Sequence, residues 1–130
     1  MAEASVIQVV AAVVERNGRY LLGRRPAHKR HGGLWEFPGG KMRDGESLFD
    51  AAHRELQEEL ALSATGVGST LFSASDPGSP FVINFVEITV DGEPEPTEHS
   101  EIGWFALAPL REMALAPSDA AFVDWLAQQG

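Results

Sequence analysis

Residues 6–14 form a nearly continuous apolar run, mostly β-branched, as in a strand buried on both faces. Asn17-Gly18 separates this run from Tyr20-Leu21-Leu22, and the pair favours a tight hairpin turn because both of its positions take positive φ. After a basic, glycine-punctuated stretch, Leu34-Trp35-Glu36-Phe37 predicts a short strand ended by Pro38-Gly39-Gly40. Residues 48–60 carry helical spacing, with Phe49, Ala52, Leu56 and Leu60 on one face and Ser47 and Asp50 as a capping pair. Strand-like runs follow near 69–73 and 81–90, with Asp76-Pro77-Gly78 turning between them. Residues 91–100, rich in proline and acid, predict a loop, and 102–105 a last strand. Residues 118–128 predict a terminal helix with Phe122, Trp125 and Leu126 on one face. Hairpin strands combined with a central and a terminal helix predict an α/β fold, a mixed sheet with helices on both faces.

A chain of 130 residues suits one domain, expected here over 1–130, with a core large enough to need no covalent staple. Cysteine is absent, which excludes disulfides, zinc thiolate sites and a cysteine nucleophile. Residues 1–14 have no basic lead before their short apolar run, and no stretch approaches the roughly 20 apolar residues of a membrane span. The expectation is a soluble, cytoplasmic protein without a membrane partner. A formal net charge of −9 argues against binding a nucleic acid polymer. A small polyphosphate remains compatible, provided that divalent cations reconcile its charge with an acidic site.

Arg54-Glu55-Leu56-Gln57-Glu58-Glu59 places Glu55, Glu58 and Glu59 within about one third of the helix circumference. Like charges at this spacing repel, so folding alone gives no reason for them. Hard divalent cations do, because magnesium takes oxygen ligands and brings substrate phosphates with it. A solvated acidic face is the bland alternative. Against it stand the upstream Pro38-Gly39-Gly40, whose glycines allow a tight turn and a close backbone approach to a ligand, and the fixed distances to Glu46 and Arg54.

Gly40, five residues, Glu46, seven residues, then Arg54-Glu55-Leu56-x-Glu58-Glu59 resembles the Nudix box over residues 40–62, with eight of its nine defined positions matched. The departure is Ala61, where the family has glycine after the helix end. Alanine there costs about 1 kcal/mol if the backbone is left-handed. The resemblance implies an α/β/α sandwich with a mixed sheet, and magnesium (or manganese) held by Glu55, Glu58 and Glu59 with a backbone carbonyl of Gly39 or Gly40. It also implies that Arg54 pairs with Glu46 or another box carboxylate and stiffens the helix and its flanking loops.

Beyond the box, residues 9–14, Leu21-Leu22-x-Arg24-Arg25-Pro26 and Leu34-Trp35-Glu36-Phe37-Pro38-Gly39-Gly40-Lys41 resemble the MutT branch, which includes 8-oxo-dGTP diphosphatases and CTP pyrophosphohydrolases. Leu115-Ala116-Pro117-Ser118-Asp119 is more similar to the base-pocket segment of the CTP enzymes than to the asparagine-bearing version. An ionised Asp119 only accepts hydrogen bonds, which suits a base presenting amino groups such as cytosine N4; a cap on the terminal helix is its other reading. The resemblance assigns Arg25 to a substrate phosphate. Lys41 is placed to reach another phosphate oxygen, and the basic run Arg24, Arg25, His28, Lys29, Arg30 and His31 suits such contacts. These histidines form no zinc cluster. Phe37 either stacks on the base or joins the core. Glu98 resembles a loop glutamate that assists the metal or the attacking water.

The implied reaction is magnesium-dependent hydrolysis of a nucleoside triphosphate to a monophosphate and pyrophosphate, with Glu55 as general base and Glu98 as its competitor. CTP or dCTP, or a modified nucleotide, is the expected substrate and 8-oxo-dGTP the alternative. Other Nudix substrate classes and a catalytically silent nucleotide-binding or interaction module are the rival readings. No pattern in the chain speaks to oligomeric state.

Overall fold

The computed structural model describes residues 6–75 and 78–129. They form eight strands and three helices, in the order β1 (Ile7–Val13), β2 (Glu15–Arg16), β3 (Arg19–Arg24), β4 (Trp35–Glu36), β5 (Gly39–Lys41), α1 (Leu48–Leu60), β6 (Ser63–Ala74), β7 (Phe81–Asp91), β8 (Glu101–Phe105), α2 (Leu107–Leu110) and α3 (Pro117–Gln129).

The apolar run predicted to be buried on both faces is β1, at the middle of the sheet β5-β1-β7-β6. It runs parallel to β7 and antiparallel to β5, so the sheet is mixed. Alternation along β1 divides the core: Val10 and Ala12 pack with Ala52, Leu56 and Leu60 of α1, while Ala11 and Val13 pack with Phe122 and Val123 of α3. Phe85 and Val86 of β7 divide in the same way. Opposite side chains of a strand meet different layers, and a helix on each face completes the α/β/α sandwich.

β1 does not form a hairpin with the Tyr20 segment, as its proximity in sequence suggested. At Val14 the chain leaves the first sheet for a second, in which β3 pairs with β2, β4 and β8. The Asn17-Gly18 turn is present, with φ of 54° and 76°, but joins β2 to β3. Pro38-Gly39-Gly40 is likewise not a turn. Gly39 and Gly40 open β5 and pair with Ala11 and Val10, because Pro38 ends β4 and its carbonyl accepts from Ala12. β6 starts six residues earlier than the apolar pattern suggested, at Ser63; its glycine- and hydroxyl-rich first half lies on a sheet edge and slips register against β7, which hides strand alternation. The short α2 has no counterpart in the predicted elements, since four residues containing Pro109 show no helical period. Asp76 and Pro77 of the proposed turn lie outside the described residues. Among those described, no helix is long and apolar enough to cross a membrane.

Candidate active site

α1 begins as its sequence predicts. The Ser47 hydroxyl accepts the Asp50 N–H and the Asp50 carboxylate accepts the Ser47 N–H, a reciprocal capping box. It ends at Ala61 with φ 55°, the left-handed conformation that alanine adopts only with strain. Leu62 N–H closes this end on the Leu56 carbonyl. Two further carbonyls of the last turn are taken by the loop after β7: Glu95 N–H donates to Leu60 and Thr97 N–H to Glu59. On its other side the loop is tied to β3, where Ser100 N–H donates to the Arg24 carbonyl. These ties set Glu98 and His99 beside the acidic face of α1.

Arg54 braces the box from behind. Its Nε and Nη2 form a two-pronged pair with Glu46 at 2.8 Å each, Nη1 donates to Glu55 at 2.7 Å, and Nη2 also reaches the Lys41 carbonyl. These contacts pull the Glu46 carboxyl down to about 2 and hold the Arg54 guanidinium protonated far above any working pH. Arg43 N–H donates to Glu46 as well, which fixes the turn leading into α1.

A cavity of about 250 Å3 opens in front of this scaffold. It gathers Arg25, Phe37, Gly39, Gly40, Glu55, Glu59, Glu98 and Asp119 from the sequence-predicted residues, with Lys29 of the basic run, and adds Glu36 and His99. Three predicted residues lie elsewhere. Arg54 stands behind Glu55, and Glu58 is half exposed at 3.6 Å from Arg54 and 3.8 Å from Arg43. Lys41 lines an adjoining cavity of about 410 Å3, its ammonium over the Phe81 ring.

Close approach, rather than a turn, explains the two glycines. A Cβ on Gly40 would stand 2.5 Å from the Glu55 carboxyl, and one on Gly39 would collide with the Val10 carbonyl. The Glu59 carboxyl accepts the Gly39 N–H at 3.1 Å. Burial pushes the Glu59 carboxyl far above the ordinary carboxylate range, and repulsion from Glu36, Glu55 and Glu98 adds to it. Such a group either keeps a proton or meets a cation. Glu36, Glu59 and His99 present ligand atoms within 4.8 Å of one another, and with Glu55 the donor set is mostly carboxylate oxygen, as hard divalent cations prefer. The residues present therefore fit a divalent metal.

Glu36 and His99 escaped sequence reasoning about the site. Glu36 sits in the very segment that leads into the box, but alternation along a two-residue strand does not show which sheet face it takes. His99 followed Glu98 in an acidic loop and had no partner close in sequence. It is 8% exposed, with Nε2 3.0 Å from Glu36 and 3.6 Å from Glu59. A histidine does join a cluster of possible metal ligands, but it is none of those in the basic loop.

At the opposite end the cavity is closed by Asp119, in the first turn of α3. Trp35 N–H donates to the Ala114 carbonyl and Ala116 N–H to that of Trp35, which pins the entry of α3 to β4. Asp119 Oδ1 then accepts the Phe37 N–H at 2.8 Å. Burial pushes the Asp119 carboxyl up to about 8, with repulsion from Glu36 and opposed by the Phe37 N–H and Arg25. At neutral pH it keeps its proton, so the acceptor-only behaviour of an ionised Asp119 does not describe the free protein. The Phe37 ring is 3% exposed, edge-on to Phe85 and Phe122. Arg25 Nη1 donates to Glu36 at 3.0 Å and Nε to the Arg30 carbonyl, which holds the basic loop over the cavity mouth.

The family model described as the NUDIX domain matches residues 5–126. The CTP pyrophosphohydrolase of Escherichia coli K12 is 38% identical over 122 residues, 92% of this chain and 90% of that protein. The 8-oxo-dGTP diphosphatase of Proteus vulgaris is 36% identical over 66 residues, 50% of this chain and 59% of that protein. A solved structure from work on MutT of Aliivibrio salmonicida and Vibrio cholerae superposes with a TM-score of 0.82 at 29% identity, covering 97% of this chain and all of that one. With the domain matched almost end to end and Glu55 and Glu59 of the box lining one cleft, the chain belongs to the Nudix family and is a hydrolase of its MutT branch.

Proposed function

We propose that the protein is a magnesium-dependent nucleoside triphosphate pyrophosphohydrolase that converts CTP or dCTP and water to the monophosphate and pyrophosphate. The observation that carries this reading is the convergence of Glu55 and Glu59 on the backbone of Gly39 and Gly40, with Arg25 in the same cleft. Glu55, Glu59 and a carbonyl of Gly39 or Gly40 would hold magnesium, with Glu58 of the same helix completing the set. Magnesium held by these residues would supply neutralisation of phosphate charge and activation of water.

The chain's own residues do the rest. Arg25 binds a substrate phosphate from the basic loop, and Lys41 another from the adjoining cavity. Glu55 accepts the proton of the attacking water; its position on a braced helix fixes it better than Glu98 is fixed on a loop. Asp119 faces the base with the oxygen that Phe37 N–H leaves free, and Phe37 forms the floor of the cavity. Cytosine is supported by the Leu115-Ala116-Pro117-Ser118-Asp119 segment and by the 38% identity to a CTP pyrophosphohydrolase. The second reading, 8-oxo-dGTP hydrolysis, is favoured by the Proteus vulgaris relative.

Pyrophosphate release from CTP, dCTP, 5-methyl-dCTP, dGTP, 8-oxo-dGTP and ADP-ribose tests the assignment. Cytosine triphosphates should be cut fastest, chelation should abolish release, and magnesium or manganese should restore it. Preference for 8-oxo-dGTP selects the second reading. Activity on ADP-ribose alone, or none on any nucleotide, overturns both.

A further inference from the structure

Glu36 and His99 have no step in the reaction above, yet their contacts connect its two halves. Glu36 Oε1 accepts from Arg25 at 3.0 Å, and Oε2 lies 3.0 Å from His99 Nε2. The same nitrogen is 3.6 Å from Glu59 Oε1, and Glu59 Oε2 accepts the Gly39 N–H. An unbroken series of contacts thus runs from Arg25 through Glu36, His99 and Glu59 to Gly39.

The histidine ring is closely seated. A Cβ on Gly23 would stand 2.5 Å from it, so the glycine of β3 supplies the space that the ring fills. The flanking Thr97 and Ser100 are bonded to the end of α1 and to β3. Its buried Nδ1 has no hydrogen-bond partner among the described residues, so Nε2 alone orients the ring. Because the Glu36 carboxylate oxygen at 3.0 Å is the acceptor within reach, Nε2 takes the hydrogen and acts as donor to it.

We propose, on the reading that the carboxylates hold the cation and Arg25 the phosphate, that His99 is a positioning residue whose Nε2–H holds Glu36 on the Arg25 side and whose ring stands between Glu36 and Glu59, so that the spacing of the two carboxyl groups keeps the two ends of the cleft in register. Loss of that donor frees Glu36, which releases the arginine, and leaves Glu36 and Glu59 to repel each other, which loosens the cation site. Both affinities should fall together although His99 touches neither ligand.

The test compares His99→Leu, which fills the ring's space without a donor, with His99→Gln, which returns an N–H near the Nε2 position. Calorimetric titration of Mn2+ into the nucleotide-free protein reads the cation site without turnover. His99→Leu should bind Mn2+ about tenfold more weakly, the size of effect typical of a residue that orients a metal ligand, and His99→Gln should recover most of the loss. In steady-state kinetics at saturating metal, His99→Leu should raise KM for the triphosphate as well as lower kcat. Wild-type Mn2+ affinity in His99→Leu would show a ring that only fills space, and overturns the proposal. So does a His99→Gln protein as weak as His99→Leu, which would make the ring nitrogen a metal ligand. If His99→Leu does not fold, His99→Gln decides alone: Mn2+ affinity near wild type supports the donor role and a tenfold loss overturns it. A wild-type protein that binds Mn2+ but cuts no triphosphate would remove the proposed function while leaving this comparison intact.

Discussion

At the box end of the cleft, Glu55, Glu58 and Glu59 come from successive turns of one helix, and their brace Arg54 pairs with a carboxylate eight positions away. At the opposite end, Asp119 holds the backbone of Phe37 across 82 positions of chain, and Arg25 arrives from a third segment. The first end is rigid because a single helix, with its cap and its arginine, sets the geometry. The second depends on three elements packing correctly. Charge accentuates the contrast: the box end concentrates carboxylates that repel one another, whereas the far end has one buried acid, held by a backbone N–H and flanked by an arginine. On the proposed function, the chemistry is carried by local structure and the choice of substrate by tertiary structure. Substitutions at the two ends should therefore fail in different ways.

The largest effect belongs to the box. Glu55→Gln and Glu59→Gln should each lower kcat about a thousandfold while leaving the circular dichroism spectrum unchanged. Glu59→Gln has a second signature. Its carboxyl is costly to bury ionised beside Glu36 and Glu55, so the metal-free variant should melt above the wild type at neutral pH. A lower midpoint would mean that the carboxylates do not crowd one another as described. Next, Arg54→Ala should lower kcat/KM about a hundredfold and Arg54→Lys less, because a lysine keeps the charge but not the two-pronged grip on Glu46. Equal losses in the two variants would reduce the brace to a charge effect.

At the far end, Asp119→Asn should leave kcat nearly intact and raise KM for CTP about tenfold, the value of one good hydrogen bond. Its pH signature is separate. The folded protein holds the Asp119 proton up to about pH 8, whereas the unfolded chain releases it near the ordinary aspartate value. Stability from this group is thus complete below the unfolded value and lost as pH rises through about 8, and Asp119→Asn should remove that decline from melting curves taken between pH 4 and 9. A wild-type curve that is flat over this range would show that Asp119 is ionised throughout. The smallest effect falls at the end of α1. Ala61 has φ 55°, so Ala61→Gly should stabilise the protein by about 1 kcal/mol without changing kcat.

Much of the fold was legible from residue pattern alone, wherever a signal was complete within a few residues. The two-sided burial of β1, the capping box at Ser47, the Asn17-Gly18 turn and the acidic face of α1 are all of this kind. The spacing from Gly40 to Leu62 carried the family as well, because the box is one continuous stretch of chain.

What tertiary structure decided is everything that depends on which segments meet. Sheet membership was decided at Val14, where the chain changes sheets, and no local pattern marks that exchange. Gly39 and Gly40 drew notice for a tight turn and a close approach to a ligand, whereas their small size serves close approach to β1 and Glu55, a constraint imposed by distant atoms. Glu36 and His99 entered the site only through packing, their separation along the chain being 63 residues and in space 3.0 Å. Even the ionisation of Asp119 was set by burial. Local hydrogen bonds and periodicity are written along the sequence; desolvation and long-range contact come into being only when the layers close.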